Sequence, residues 1–114
     1  MTDLQHLDLE ALEELRDVME DEFQSLIETF IVDAERKLVA FQAAISGANA
    51  DEVGKVSHSF KGSCSNIGAP LLSALCKKSE DKGRENDLSG VDVIFDDICN
   101  EYQIVKKLLT EQLS

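Results

Sequence analysis

The chain is poor in the residues that punctuate a fold. It has one proline, six glycines and 5% aromatic residues in 114. No segment alternates apolar and polar residues with period two, so strands and tight hairpins are not expected, and the chain reads as nearly all helix. Basic residues are scarce as well, at 11 against 23 acids, for a formal net charge of −12. That charge repels phosphate backbones and anionic headgroups, and no Lys/Arg cluster offsets it locally, so neither nucleic acid nor a membrane surface is expected as a partner. No apolar run approaches the roughly eighteen residues needed to span a bilayer. The stretch from Met1 to Leu9 carries acids where a signal peptide needs a basic stretch and an apolar block, so a soluble, cytoplasmic protein is expected. The three cysteines, Cys64, Cys76 and Cys99, form an odd set without C-x-x-C spacing. They suggest neither a disulfide framework nor a zinc site and read as small core residues.

What is abundant is helical periodicity. From Asp21 to about Ser46, the residues Ile27, Ile31, Ala34, Leu38, Phe41 and Ile45 recur at steps of four and three, widened by Phe23 and Phe30. Asp21 is expected to cap this helix and Gly47 to end it in the left-handed conformation. A second long helix is expected from about Gly90 to Leu113, with Ile94, Ile98, Tyr102, Val105 and Leu109 on one stripe and Ser89 as cap. Between them lie two shorter helices, one from Ala50 or Asp51 to Gly68, the other from Pro70 to about Gly83. A polar loop then runs from Lys82 to Gly90. A leading helix from Asp8 to Met19 presents Leu12, Leu15 and Met19 as a lid. No internal repeat competes with this pattern. The expectation is an all-α fold spanning residues 1–114 as a single domain, an antiparallel four-helix bundle with a short N-terminal capping helix.

The helix from Ala50 to Gly68 is the informative one. At about 100° per residue, Val53, Val56, Phe60, Cys64 and Ile67 share a core-facing sector, and His58 falls roughly 160° from its middle. A lone histidine in a helical domain is usually a hydrogen-bonded interior residue, but this one faces water. Its expected outer-face neighbours are Gly54, Lys61, Gly62 and Ser65. Glycine inside a helix costs about 1 kcal/mol relative to alanine. Two glycines around one imidazole therefore suggest that bulk is being kept away from it, so that a macromolecule can bring a reactive group to the ring. Lys61 supplies positive charge where an anion bonded to that ring would lie.

Other chemistries lack their parts. Cys64 points inward, and His6, in the leading segment, is expected to be solvated and inert, so no nucleophilic triad is available. The Glu-x-x-His pairs of di-iron bundles are missing, and no metal site is expected. No glycine-rich phosphate loop is present, so no ATP binding and no autonomous kinase activity are expected.

The run His58-Ser59-Phe60-Lys61-Gly62-Ser63-Cys64-Ser65-Asn66-Ile67-Gly68-Ala69, followed by Leu72 and Cys76, closely resembles the signature of histidine-containing phosphotransfer (HPt) domains, in which a phosphorylatable His precedes x-x-Lys-Gly and a later Gly-Ala. Helix lengths and order are similar over essentially the whole chain, in the manner of free-standing bacterial members. The sequence departs from the pattern at Cys64, Pro70 and Ser79, all of them packing positions. The resemblance implies that His58 is the phosphoacceptor, that Lys61 stabilises the phosphoryl oxygens and that Gly62 gives clearance to the partner. It further implies reversible transfer with aspartates of receiver domains in hybrid sensor kinases and response regulators, with Mg²⁺ and acidic residues supplied by the receiver and no cofactor held by this chain.

For attack, the reacting nitrogen of His58 must be neutral, and the other needs a partner to fix the tautomer, which the sequence does not name. Gly54, Lys55 and Ser65 on this helix, with Val32 and Val39 on the first long helix beside Ala43, are the expected docking residues. A monomer is expected. The rival reading is a helical adaptor or docking inhibitor whose His58 is never phosphorylated.

Overall fold

The computed structural model describes residues 5–113; residues 1–4 and 114 of the expected domain lie outside that range. Five helices follow in order: α1 Leu9–Met19, α2 Phe23–Ser46, α3 Ala50–Asn66, α4 Pro70–Arg84 and α5 Val91–Glu111. No strand occurs among the described residues. Helices α2 to α5 form the antiparallel bundle, and α1 lies over one end of it. Its core includes Ile27, Phe41, Phe60, Leu72, Ile98, Tyr102 and Leu109, each fully buried. Phe41 stacks on Phe95 with ring centroids 5.0 Å apart, and Phe60 meets Tyr102 edge-on at 6.4 Å. Phe41, Phe60 and Tyr102 belong to the inward stripes read from the sequence, and Phe95, outside them, packs against the same core. Cys64 and Cys76 are buried and Cys99 partly so. Burial pushes the Cys64 thiol far up, reinforced by its hydrogen bond with Cys76. The small-core reading holds for Cys64 and Cys76, whereas Cys99 lies outside the core.

Several helix ends differ from expectation. Asp21 does not cap α2; it lies in a 3-10 turn, Glu20–Glu22, that feeds directly into α2 at Phe23. Gly47 has φ −85°, and the left-handed residue is Ala48 at +50°. Ser89 does not cap α5: its hydroxyl donates to Asp87 Oδ1 at 2.6 Å, and Gly90, at φ +77°, makes the turn into the helix. Helix α3 stops at Asn66 rather than Gly68, because Gly68 takes φ +80° to turn the chain towards Pro70. Asn49 caps α3, accepting from the Glu52 amide at 3.1 Å.

His6 is not inert. Its Nδ1 lies 2.7 Å from Oε2 of Glu101, which is only 6% exposed. The backbone beside it is pinned to the α3–α4 turn, the Asp8 amide donating to Gly68 O and the Leu71 amide to Gln5 O, while Leu7 is buried. The leading segment is thereby strapped to the bundle, and Arg16 of α1 reaches across to Gln112.

Candidate functional site

The site is built on the tightest helix pair in the molecule, α3 and α4. Small residues line their seam. Gly83 lies so close to α3 that a Cβ there would come 2.7 Å from both Ala50 O and Gly54 Cα and also strike Gly54 N. One turn along, the buried hydroxyls of Ser57 and Ser79 are 2.7 Å apart, and Ser79 donates to Cys76 O. Ser79, out of place as an expected apolar position, is a satisfied buried polar group in this seam. The close approach brings α4 side chains beneath the outer face of α3.

His58 emerges there, because Val53, Phe60 and Cys64 take the fully buried face of α3. Its side chain is 61% exposed. Under it sits Glu80, 1% exposed, whose Oε2 is 2.9 Å from His58 Nδ1. Lys61 Nζ donates to Glu80 Oε1 at 2.6 Å, and Arg84 Nη2 forms an ion pair with Oε2 at 2.6 Å. Burial alone would push the Glu80 carboxyl up. The hydrogen bonds from Lys61 and His58 and the charges of Lys61 and Arg84 outweigh it, leaving the group below its ordinary value and therefore ionised. An ionised carboxylate only accepts hydrogen bonds, so Nδ1 carries a proton, and in the neutral form of the ring Nε2 keeps its lone pair.

His58, Lys61 and Gly62 lie together on the side of α3 that adjoins α4 and solvent. Gly62 is exposed, and a Cβ added to it would meet nothing within 4 Å. Gly54 is a correction. It is buried in the α3–α4 seam, where a Cβ would touch Gly83 and Arg84 at 3.7 Å. Gly54 therefore serves helix packing, and of the two glycines only Gly62 borders open space. Ser65 is exposed, but its hydroxyl is occupied by Ser73 Oγ at 2.8 Å. Lys55, 67% exposed, borders a hollow of about 230 Å³ together with His58, Gly54, Asp51, Gly83 and Arg84. Val32 lines a larger groove of about 530 Å³ between α2 and α3, with Phe30, Arg36, Ser63 and Asn66. Val39 and Ala43 are exposed on α2 outside that groove.

Glu80 and Arg84 are the site residues that sequence reasoning missed. The signal was present: Leu72, Cys76, Ser79, Glu80 and Gly83 form the buried face of α4, and a glutamate on such a stripe needs a cationic partner. No group of three or more His, Cys, Asp or Glu side chains among the described residues is placed to hold a metal ion, and no helix is long and apolar enough to cross a membrane.

The model of the Hpt domain family matches residues 25–112. Among solved structures, the chain is similar to histidine-containing phosphotransfer protein B (HptB) of Pseudomonas aeruginosa PAO1, at 36% identity and TM-score 0.92, covering 94% of this chain and 93% of that one. It shares its fold with the histidine-containing phosphotransfer protein MtHPt2 of Medicago truncatula, at 22% identity and TM-score 0.80, over 93% of this chain and 78% of that one. No curated protein matched. An all-helical bundle that holds one exposed imidazole over a buried carboxylate, matched along most of its length by that family, leads to one assignment: the chain belongs to the Hpt domain family of histidine phosphotransfer in phosphorelay signalling.

Proposed function

We propose that His58 accepts a phosphoryl group from the aspartyl phosphate of one receiver domain and donates it to the aspartate of another, without autonomous kinase activity. The observation that carries this reading is the 2.9 Å contact between His58 Nδ1 and the buried Glu80 carboxylate, which favours the proton on Nδ1 and leaves Nε2 of the neutral ring as the nucleophile. In the forward step the Nε2 lone pair forms the N–P bond as the P–O bond to the aspartate breaks, and the carboxylate leaves with that bonding pair. The ring becomes positive as the bond forms, and the Glu80 carboxylate offsets that charge at Nδ1. Lys61, 27% exposed, is close enough to turn an N–H towards the phosphoryl oxygens without leaving Glu80, since an ammonium has three donors. Gly62 lets the receiver's backbone approach. Mg²⁺ would be held by acidic residues of the receiver and would there offset charge on the phosphoryl group.

The test is incubation with the phosphorylated receiver domains of the source organism. The wild-type chain is expected to acquire acid-labile, base-stable phosphate and to pass it to a second receiver, while His58→Gln folds normally and takes none. Label on His58→Gln, or no label on the wild type from any receiver, would overturn the reading and favour a docking adaptor.

A further inference from the structure

The acceptor sits in an electrostatic conflict. Attack on phosphorus needs a neutral ring, yet a buried, ionised carboxylate 2.9 Å from His58 Nδ1 favours the imidazolium, in which both nitrogens carry protons and neither has a lone pair. The tie that fixes the tautomer thus also works against the nucleophile.

Arg84 is placed to offset it. Its Nη2 and His58 Nδ1 meet the same oxygen, Glu80 Oε2, at 2.6 and 2.9 Å, so the guanidinium nitrogen lies within about 5.5 Å of the ring nitrogen. Lys61 takes the other carboxylate oxygen at 2.6 Å. One buried anion is therefore faced by two cations, and neither of them pairs with another acid among the described residues. With a neutral ring this cluster is already positive, and protonating the ring adds a further positive charge to it. The other charges around the ring are mostly paired among themselves. On α3, Lys55 pairs with Asp51 at 3.0 Å and lies 3.9 Å from Glu52; on α4, Lys77 pairs with Asp81 at 2.6 Å. Helix α2, on another flank of α3, brings Arg36, and Asp33 paired with Lys37 at 2.7 Å. Ahead of α1, Asp8 lines the groove that holds Lys61 and Lys77.

The two cations on Glu80 do different work. Lys61 is drawn towards the phosphoryl oxygens as the N–P bond forms, whereas Arg84 stays on the oxygen that the ring itself uses. We infer that Arg84 is a positioning residue acting through Glu80: its charge on the shared oxygen holds the His58 ring to a single proton, on Nδ1, so that Nε2 is available in neutral solution. The inference rests on the phosphotransfer reading and adds to it the group that sets the pH range of acceptance. Without the guanidinium, Glu80 keeps Lys61 alone and the ring takes a second proton more readily. At this separation, and with Arg84 63% exposed, one charge should move the acid limb of the acceptance rate up by about 0.5–1 pH unit. On that limb the loss is about 3–10-fold relative to the variant's own alkaline plateau.

The experiment follows acceptance from a phosphorylated receiver domain that transfers to the wild-type chain, between about pH 5.5 and 8.5, with the same receiver throughout so that its own pH dependence cancels in the ratio to wild type. Arg84→Gln removes the charge and keeps a Cγ beside Gly54, and Arg84→Met does the same should the first variant fold poorly by circular dichroism. The ratio to wild type is expected to fall as pH falls. Arg84→Lys should restore at least half of the shift, and Glu80→Gln should move the limb the opposite way. A ¹⁵N titration of the His58 ring in the isolated chain, with no receiver present, should move in the same order. A ratio constant across pH, with an unmoved ring titration, would mean that Arg84 serves docking or helix packing and would overturn the inference while leaving phosphotransfer intact. Acceptance from no receiver by the wild type would overturn the phosphotransfer reading, and the ring titration would then decide the inference by itself.

Discussion

Replacement of Glu80 gives the sharpest prediction, because one buried carboxylate serves three partners. In Glu80→Gln the amide oxygen can still accept from His58 Nδ1, but the amide nitrogen then faces Lys61 Nζ, donor against donor, in place of a 2.6 Å ion pair. Lys61 must turn to solvent, which at 27% exposure it can do. Two charge-assisted hydrogen bonds and the Arg84 ion pair are weakened or lost, each hydrogen bond worth about 1.5–3 kcal/mol in favourable cases, while the desolvation penalty of a buried anion is relieved. Since Lys61 and Arg84 can both rehydrate, the balance should be a loss of about 1–3 kcal/mol at pH 7, or roughly 4–12 °C in Tm for a domain of this size.

The sign of the pH dependence follows from the depressed carboxyl. The Glu80 contribution is fully present above its ordinary value of 4.5 and is lost as pH falls through the lower folded-state value. The stability gap between wild type and Glu80→Gln, read by urea denaturation, should therefore be flat from pH 7 to about 5 and close below that. Functionally, Glu80→Gln keeps the tautomer and should transfer within about tenfold of wild type, whereas Glu80→Ala frees Nδ1 and should lose about 10–100-fold, the scale seen when a ring's orienting partner is removed. A ¹⁵N spectrum of the His58 ring that does not change in Glu80→Ala, together with wild-type transfer, would refute the reasoning.

Gly62→Ala should fold and gain about 0.5–1 kcal/mol, because its Cβ enters open space, while Gly62→Gln should fold yet slow transfer sharply; denaturation and stopped-flow transfer check the two effects. Gly83→Ala should cost at least about 1–3 kcal/mol, because its Cβ would run into the backbone of α3, and a urea midpoint equal to wild type would show that the seam is looser than described. Chelating divalent metal should stop transfer through the receiver, whereas calorimetry on the isolated chain with Mg²⁺ should show no tight site.

The fold was legible because the apolar residues of α2, α3 and α5 are spaced for one wet and one buried face, and Phe23, Ile27, Phe41, Phe60 and Tyr102 are all interior. His58 was legible by the same geometry, standing opposite Phe60 and Cys64. Gly54 was misread because a helical wheel knows only the strongest apolar sector. It does not show that α4 covers a second flank of α3, made of Ala50, Gly54 and Ser57, whose small side chains carry no hydrophobic signal. Glu80 was passed over for a related reason: a glutamate among lysines reads as solvent-facing until the opposing helix is known to bring His58 and Lys61 to it. Helix ends were the least legible feature. Asp21 and Ser89 have the right chemistry for caps, but a 3-10 turn and the left-handed Gly90 satisfy the local geometry instead.

The α3–α4 seam also says when the site comes into being. His58 and Glu80 are only 22 residues apart, whereas the tie between His6 and Glu101 spans 95 and that between Arg16 and Gln112 spans 96. Closing the shorter loop costs roughly 1 kcal/mol less chain entropy than closing either of the longer ones. Contacts that are local in sequence also form early in folding. The imidazole and its carboxylate can therefore meet while α5 is still emerging from the ribosome, and the terminal segments close over a centre already in register.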